Sequence, residues 1–242
     1  MITISTFNIQ NDIKKYSSDK KDIVLNYLKK NKIDILNLQE VYSKFDKDFS
    51  RELHNLHYTI FGKYRFFCHF IFNRINEKTP IVTHYPVVFS HTYHLPCLPS
   101  LLKRVMTKSI VLIDGREISV YNTHLDFQYD ITKKRQLNKI LKILKKDTNP
   151  IILTGDFNLK NNNIIFQKFI NQLKEMNVQH VDIHEKTFKA SMYHRAIDHV
   201  FLSRDFKVCS KKLITDIPTS DHYPVLVRVQ LENKGGIYGR EK

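Results

Sequence analysis

Six short polar signatures in this chain each sit against an apolar run, and their residue types suit one kind of chemistry. They are Asn8 after Ile-Ser-Thr-Phe, Glu40 after Leu-Asn-Leu-Gln, and His124 after Val-Tyr-Asn-Thr. Asp156 and Asn158 stand in Leu-Thr-Gly-Asp-Phe-Asn, Asp198 in Arg-Ala-Ile-Asp-His-Val-Phe, and Asp221 with His222 in Thr-Ser-Asp-His-Tyr-Pro-Val. A carboxylate at the end of a buried strand costs stability unless something pairs with it. Aspartate, glutamate and asparagine offer hard oxygen donors, while histidine and asparagine add N–H groups that suit a phosphate. Carboxylates gathered on one rim repel unless cations or shared protons compensate. Magnesium fits, because it takes one or two carboxylates, keeps water and recruits phosphate oxygens; manganese is the alternative. The three cysteines, Cys68, Cys97 and Cys209, are widely spaced and make no zinc pattern.

Strands must carry these residues to a common place. Residues 2 to 8 read as a first strand, and Ser17-Ser18-Asp19 supplies N-cap candidates for a helix to about Lys30, with Ile23, Val24, Tyr27 and Leu28 on one face. A strand-like run spans 33 to 40, and a short helix is expected at 46 to 55. Between Tyr58 and Phe89 the aromatic and β-branched residues imply three or four strands, punctuated by Pro80 and Pro86. Leu95 to Arg104, with two prolines and then Lys103-Arg104, reads as a loop. Strands at about 105–113 and 117–123 flank the tight turn Asp114-Gly115. A helix over about 129–146 buries Leu137, Ile140, Leu141 and Leu144 and surrounds them with lysines, a pattern usual for a solvated face. Pro150 starts the next strand, which Gly155 is expected to break so that Asp156 and Asn158 emerge at its end. A helix near 163–176 and strands near 197–202, 206–214 and 223–231 complete one domain over 1–232. The tail 233–242, with three glycines, reads as flexible. The sum is an α/β protein, a four-layer α/β/β/α sandwich of two packed mixed sheets with helices outside, whose strand ends converge on one rim.

Composition narrows the class. With 242 residues, 42% of them hydrophobic, and only six glycines and seven prolines, the chain can build a sizeable core. No run of about 18 uncharged apolar residues exists to span a membrane. Met1 leads straight into a strand-like run without a signal peptide, which points to a cytoplasmic protein, the scattered cysteines fit reduced thiols, and a monomer is expected. The formal charge of +15 has two sources: attraction to a polyanion such as nucleic acid, and a lysine-rich composition spread over every segment.

The ordered set Thr-Phe-Asn, Leu-Gln-Glu, Asn-Thr-His-Leu, Gly-Asp-Phe-Asn, Ile-Asp-His-Val-Phe and Ser-Asp-His-Tyr-Pro-Val across residues 6 to 225 resembles the endonuclease/exonuclease/phosphatase superfamily, the deoxyribonuclease I fold, in its bacterial form. The resemblance implies magnesium-dependent hydrolysis of phosphoester bonds. It makes Glu40 the principal metal ligand and puts Asn8 at the edge of the metal site or on the phosphate. It gives Asp156 the task of orienting or deprotonating water at the metal site, and Asn158 the scissile phosphate. His124 would steady charge on the phosphoryl oxygens, Asp198 would orient His222 toward the phosphate, and Asp221 would be a further metal-site carboxylate. These roles agree with the chemistry: an anionic ester needs its charge neutralised, and a base must free water for in-line attack. Asp156 is favoured over the His222–Asp198 pair as that base.

The chain departs from the family at Lys78–Pro86, where a glycine and an arginine are missing, and it has no tryptophan. Asp126 and Gln128 are either loop caps or site residues, and Arg135 is expected to salt-bridge to the rim. Other histidines, among them His54, His57, His69 and His180, are expected on the surface or in packing. The charge favours a nuclease or DNA-processing phosphodiesterase. The competing readings are an esterase for a small or lipid phosphate and a non-catalytic nucleic-acid-binding protein on the same scaffold.

Overall fold

The computed structural model describes residues 1–10, 18–63, 77–100, 102–189 and 195–232. In chain order these form β1 (Ile2–Asn8), α1 (Ser18–Asn31), β2 (Ile35–Gln39), α2 (Ser43–Asn55), β3 (Thr59–Phe61), β4 (Ile81–Thr83), β5 (Val87–His94) and β6 (Val105–Ile113). They continue with β7 (Arg116–His124), α3 (Asp130–Leu144), β8 (Ile151–Asp156), α4 (Ile164–Glu175), β9 (Val178–Val181), β10 (Asp198–Ser203), β11 (Phe206–Leu213) and β12 (Val225–Leu231).

The strands make two six-stranded sheets, ordered β11-β12-β1-β2-β4-β3 and β5-β6-β7-β8-β10-β9. Each is mixed, with one central parallel pair, β1–β2 in one and β7–β8 in the other. A parallel pair needs a crossover, and α1 and α3 supply the two. Strand alternation then sorts the apolar residues onto two faces. Ile4, Ile35 and Ile81 of the first sheet meet Val111, Val120, Ile152 and Val200 of the second. On the outer faces, Val24, Leu28, Phe45 and Phe49 of α1 and α2 cover Leu36 and Leu38, while Leu137, Ile140, Phe166 and Phe169 of α3 and α4 cover Tyr121, Leu153 and Phe201. The result is the expected four-layer α/β/β/α sandwich.

Toward one rim the inter-sheet face turns polar. Asn37 Nδ2 donates to Thr154 Oγ1 at 2.7 Å, and Gln39 Nε2 donates to Asn122 Oδ1 at 2.7 Å. Asn122 Nδ2 in turn reaches the Leu38 and Pro80 carbonyls at 2.7 and 2.8 Å. Buried amides that hydrogen-bond across the gap fix the relative register of the sheets under that rim, while Asn37 Oδ1 and Gln39 Oε1 stay buried without a partner among the described residues.

Three expectations need correction. Gly155 does not break its strand, because β8 runs on through Asp156. With φ at 152° and an ideal Cβ only 2.0 Å from the Thr123 carbonyl oxygen, the glycine instead lets β8 lie close against β7. β9, a polar four-residue edge strand, has too little apolar alternation to announce itself. α2 begins at Ser43 rather than 46. Ser17, Cys68, His69 and the tail 233–242 lie outside the described residues. Among the described residues no helix is long and apolar enough to cross a membrane.

Candidate active site

Sheet register delivers the polar strand ends to one place. Asn8 pairs with Gln39 in the parallel β1–β2 ladder, so Asn8 and Glu40 leave the first sheet together. In the second sheet, Asp156 pairs with His124 on one side and with Asp198 on the other. Asp221 and His222 arrive on the loop before β12.

Asp156 sits at the centre. Its Oδ2 accepts from Asn8 Nδ2 at 3.0 Å and lies 3.5 Å from His124 Nε2 and 3.7 Å from His222 Nε2. Its Oδ1 accepts the Asn158 backbone amide at 2.9 Å. Asn8 Nδ2 also donates to Glu40 Oε1 at 3.2 Å, so a single amide bridges the two sheets' carboxylates. Asn8 is fixed from behind, since its Oδ1 takes the Gln10 amide at 3.0 Å and its carbonyl takes Ser220 Oγ at 2.6 Å. Asn158 donates its side-chain amide to Leu125 O at 3.1 Å, which leaves a second N–H available. Glu40 and Asn158 both adopt left-handed backbone, with φ of 58° and 51°. Asparagine tolerates that region; for glutamate it is strained, a mark of a position held by its surroundings.

Two histidine–carboxylate pairs flank Asp156. His222 Nδ1 is 2.9 Å from Asp198 Oδ2, and both side chains are buried. Phe188 packs on the imidazole with ring centroids 4.9 Å apart, and Thr187 Oγ1 accepts the Asp198 amide at 3.2 Å. Burial alone would lower the His222 pKa, but Asp198, Asp156 and Asp221 outweigh it and hold the imidazole up at about 10. The proton therefore stays on the histidine, donated from Nδ1 to Asp198. The second pair was not anticipated: His124 Nδ1 lies 2.6 Å from Glu77 Oε1, and Arg104 ion-pairs with the same carboxylate. Burial pushes Glu77 up, yet Arg104 and His124 more than reverse this and hold it down at about 2. Burial and Arg104 lower His124, but Glu77 and Asp156 leave it raised. Neither Glu77 nor Arg104 ends a strand: Arg104 directly precedes β6, and Glu77 lies four residues before β4.

All eight expected residues, Asn8, Glu40, His124, Asp156, Asn158, Asp198, Asp221 and His222, join one continuous polar network. Asp126 and Gln128 do not. Asp126 Oδ1 caps the Gln128 and Tyr129 amides at 2.8 and 2.9 Å, so the pair serves the loop. Among the described residues Arg135 makes no salt bridge to the rim but donates to Leu98 O at 3.2 Å. His180 packs in the aromatic cluster around His199 and Phe166, as expected.

The donor set suits a hard divalent cation. Burial raises Glu40 above the usual carboxylate range, with His124 pulling it down and Glu77 pushing it up. Asp221 Oδ1 is buried with no hydrogen-bond partner among the described residues, and it lies 3.8 Å from His222 Nε2. Orphaned, desolvated carboxylate oxygens are what a cation relieves. Ligand atoms of Asp156, Asp198 and His222 also fall within 4.8 Å of one another. Asp198 and His222, however, spend facing atoms on each other, so Glu40, Asp156 and Asp221 are the better oxygen donors for magnesium or manganese.

Fold and rim together define a deoxyribonuclease I-like hydrolase architecture. The family model "Endonuclease/Exonuclease/phosphatase family" matches residues 5–222, and the chain belongs to that family. Among solved structures, an endonuclease/exonuclease/phosphatase from Bacteroides vulgatus superposes with a TM-score of 0.80 at 23% identity, covering 96% of this chain and 99% of that one. The Bacteroides thetaiotaomicron mannosyl-6-phosphatase Bt3783 gives 0.76 at 19% identity over 96% and 100% of the two chains. The human nocturnin catalytic domain with bound sulfate gives 0.77 at 19% identity over 95% and 93%. These likenesses establish the shared fold. A search of curated proteins by sequence finds no match.

Proposed function

We propose that this chain is a divalent-metal-dependent phosphoesterase that hydrolyses a phosphoester by in-line attack of water, and that its substrate is nucleic acid. The observation that carries the reading is Asp156 Oδ2 within 3.0–3.7 Å of Asn8, His124 and His222, with both histidines backed by buried carboxylates. Glu40 and Asp221, with Asp156 and the edge provided by Asn8, would hold magnesium or manganese, which when bound neutralises charge on the phosphate and polarises it.

The chain's own residues supply the rest. Asp156, steadied at both oxygens, orients water and accepts its proton at Oδ2. His222, kept cationic by Asp198, presents Nε2–H to a phosphoryl oxygen, and His124, its pKa left raised by Glu77 and Asp156, faces the same side of the site with its Nε2. Asn158 offers its remaining amide hydrogen to the scissile phosphate. Donors fixed before reaction stabilise the charge that builds on the phosphoryl oxygens without reorganising. The net charge of +15 supports a polyanionic substrate, and the free thiols of Cys97 and Cys209 fit a reducing, cytoplasmic setting. A second reading, a small or lipid phosphate ester, draws on the phosphatase named among the structural neighbours.

A substrate panel tests the choice: plasmid, abasic duplex, single strand, RNA, bis(p-nitrophenyl) phosphate and lipid phosphates, each with magnesium, manganese or chelator. Metal-dependent cleavage of polynucleotides, weakening steeply with salt, is expected. Turnover confined to small or lipid phosphates overturns the nuclease reading, and turnover undiminished by chelator overturns the metal.

A further inference from the structure

Beside the rim the molecule holds out apolar side chains. Phe127 and Tyr129 are 56% and 48% exposed, and Leu98 and Ile131 are 60% and 48% exposed. They belong to one fastened unit. Ser100 Oγ donates to Asp126 Oδ2, whose other oxygen caps Gln128 and Tyr129. Leu98 O accepts from Thr132 Oγ1 and Arg135 Nη1, each at 3.2 Å, and Gln136 Nε2 donates to Pro96 O at 2.9 Å. The pad is therefore framed by hydrogen bonds and is not a free loop tip. It is also welded to the catalytic wall: the Leu125 amide donates to Asp156 O at 2.9 Å, and the Leu125 carbonyl takes Asn158 Nδ2 at 3.1 Å. Phe127 follows two residues later.

A basic ridge leaves from the same place. α3 starts beside the pad and runs away from the rim toward Pro150 and the start of β8. Arg135, Lys139 and Lys142 are exposed along it, at spacings that keep them on one face, and exposed Lys146 follows just past its end. Asp130, the acidic residue of its first turn, is taken up by Lys133 at 3.0 Å. At about 1.5 Å per residue the helical part of the ridge, Arg135 to Lys142, extends roughly 10 Å.

We propose that pad and ridge form a track for single-stranded nucleic acid, with bases next to the scissile phosphate stacked on Phe127 and Tyr129 and the backbone following α3. This rests on the nuclease reading above. Stacking on an aromatic face needs an unpaired base, and a chain of phosphates needs spaced cations; the surface supplies both. A flat lipid surface resting on the pad is a poorer fit, because the far lysines lie down the side of the molecule, where only a flexible polyanion reaches them.

The test is fluorescence anisotropy of the wild-type protein in chelator, with a labelled oligothymidylate against a duplex of the same length. The single strand should bind at least about tenfold tighter, and Phe127→Ala and Tyr129→Ala should each weaken it by about five- to a hundredfold while leaving the melting temperature in place. Lys139→Glu with Lys142→Glu should flatten the log–log salt dependence by about 0.7 per lost phosphate contact. Equal or tighter duplex binding, or aromatic variants that bind like wild type, overturns the track. So does co-sedimentation with phosphatidylcholine/phosphatidylglycerol vesicles, abolished by Leu98→Asp with Ile131→Asp, in a protein that ignores the oligonucleotide. Binding in chelator does not depend on turnover, whereas wild-type hydrolysis of bis(p-nitrophenyl) phosphate, lost in Asp156→Asn, tests the phosphoesterase reading separately.

Discussion

Gly155→Ala changes one hydrogen to a methyl group, yet it should injure both stability and turnover. The added Cβ would stand 2.0 Å from Thr123 O, 2.9 Å from Thr123 C and 3.0 Å from Thr123 N, all backbone atoms that no rotamer change can move. A normal contact needs β7 and β8 to part by about 1 Å at the pair that also aligns His124 with Asp156. Overpacking of this kind costs about 1–3 kcal/mol, and a non-glycine residue at φ 152° adds about 1–3 kcal/mol of strain. The sum, about 2–6 kcal/mol, is a large share of the ~5–15 kcal/mol that holds a typical domain together. For a chain of this length it corresponds to a fall in melting temperature of about 5–20 °C. Turnover should fall by about a hundredfold, the usual consequence of displacing a catalytic group by 1 Å. Thermal unfolding by circular dichroism and hydrolysis of bis(p-nitrophenyl) phosphate measure the two. An alanine variant with wild-type melting and wild-type rate would refute the close approach of β7 and β8.

Other perturbations separate the parts of the site. Asp156→Asn alters charge but hardly shape, so kcat should drop by about 10²–10⁴ with melting nearly unchanged; wild-type turnover would remove Asp156 as the base. Glu77→Ala strands the buried Arg104 guanidinium and should cost about 3–5 kcal/mol in denaturant unfolding, whereas a loss within experimental error would mean the pair is not buried. His199 is held neutral by burial beside His180, its pKa lowered to about 3, while its Nε2–H donates to Leu159 O at 2.8 Å. The unfolded chain takes up that proton near pH 6.5 and the folded chain does not, so stability is full above about 6.5 and falls as pH drops toward 3. By pH 5 His199 alone should account for about 2 kcal/mol of the loss, with neighbouring His180, lowered by burial to about 4, adding to it, and His199→Phe should reduce the slope; an unchanged slope counts against the buried neutral imidazole.

Much of this was legible in local sequence. Strand alternation and the helical stripes of Leu137, Ile140 and Leu144 are short-range patterns, and the strands they announced carry Asn8, Glu40, His124, Asp156 and Asp198 to one rim. What stayed hidden depends on contacts between distant segments. Glu77 and Arg104 acquire their importance only when β4 and β6 bring them to His124, and nothing near either residue signals that meeting. Gly155 looked like a strand breaker because its purpose, the approach to Thr123, lies on another strand. Asp126, polar and near the rim in sequence, turned inward to fasten a loop, and Arg135, though exposed, spends a donor on the Leu98 carbonyl of the same loop. The basic face of α3 looked like ordinary solvated surface, and only its position beside Phe127 and Tyr129 distinguishes it.

The most direct measurement is hydrolysis of bis(p-nitrophenyl) phosphate in oxygen-18-labelled water with magnesium, followed by mass spectrometry of both products. Water oriented by Asp156 and attacking phosphorus puts the label in p-nitrophenyl phosphate and none in p-nitrophenol. Label in the phenol, or the same labelled yield from Asp156→Asn, would contradict it.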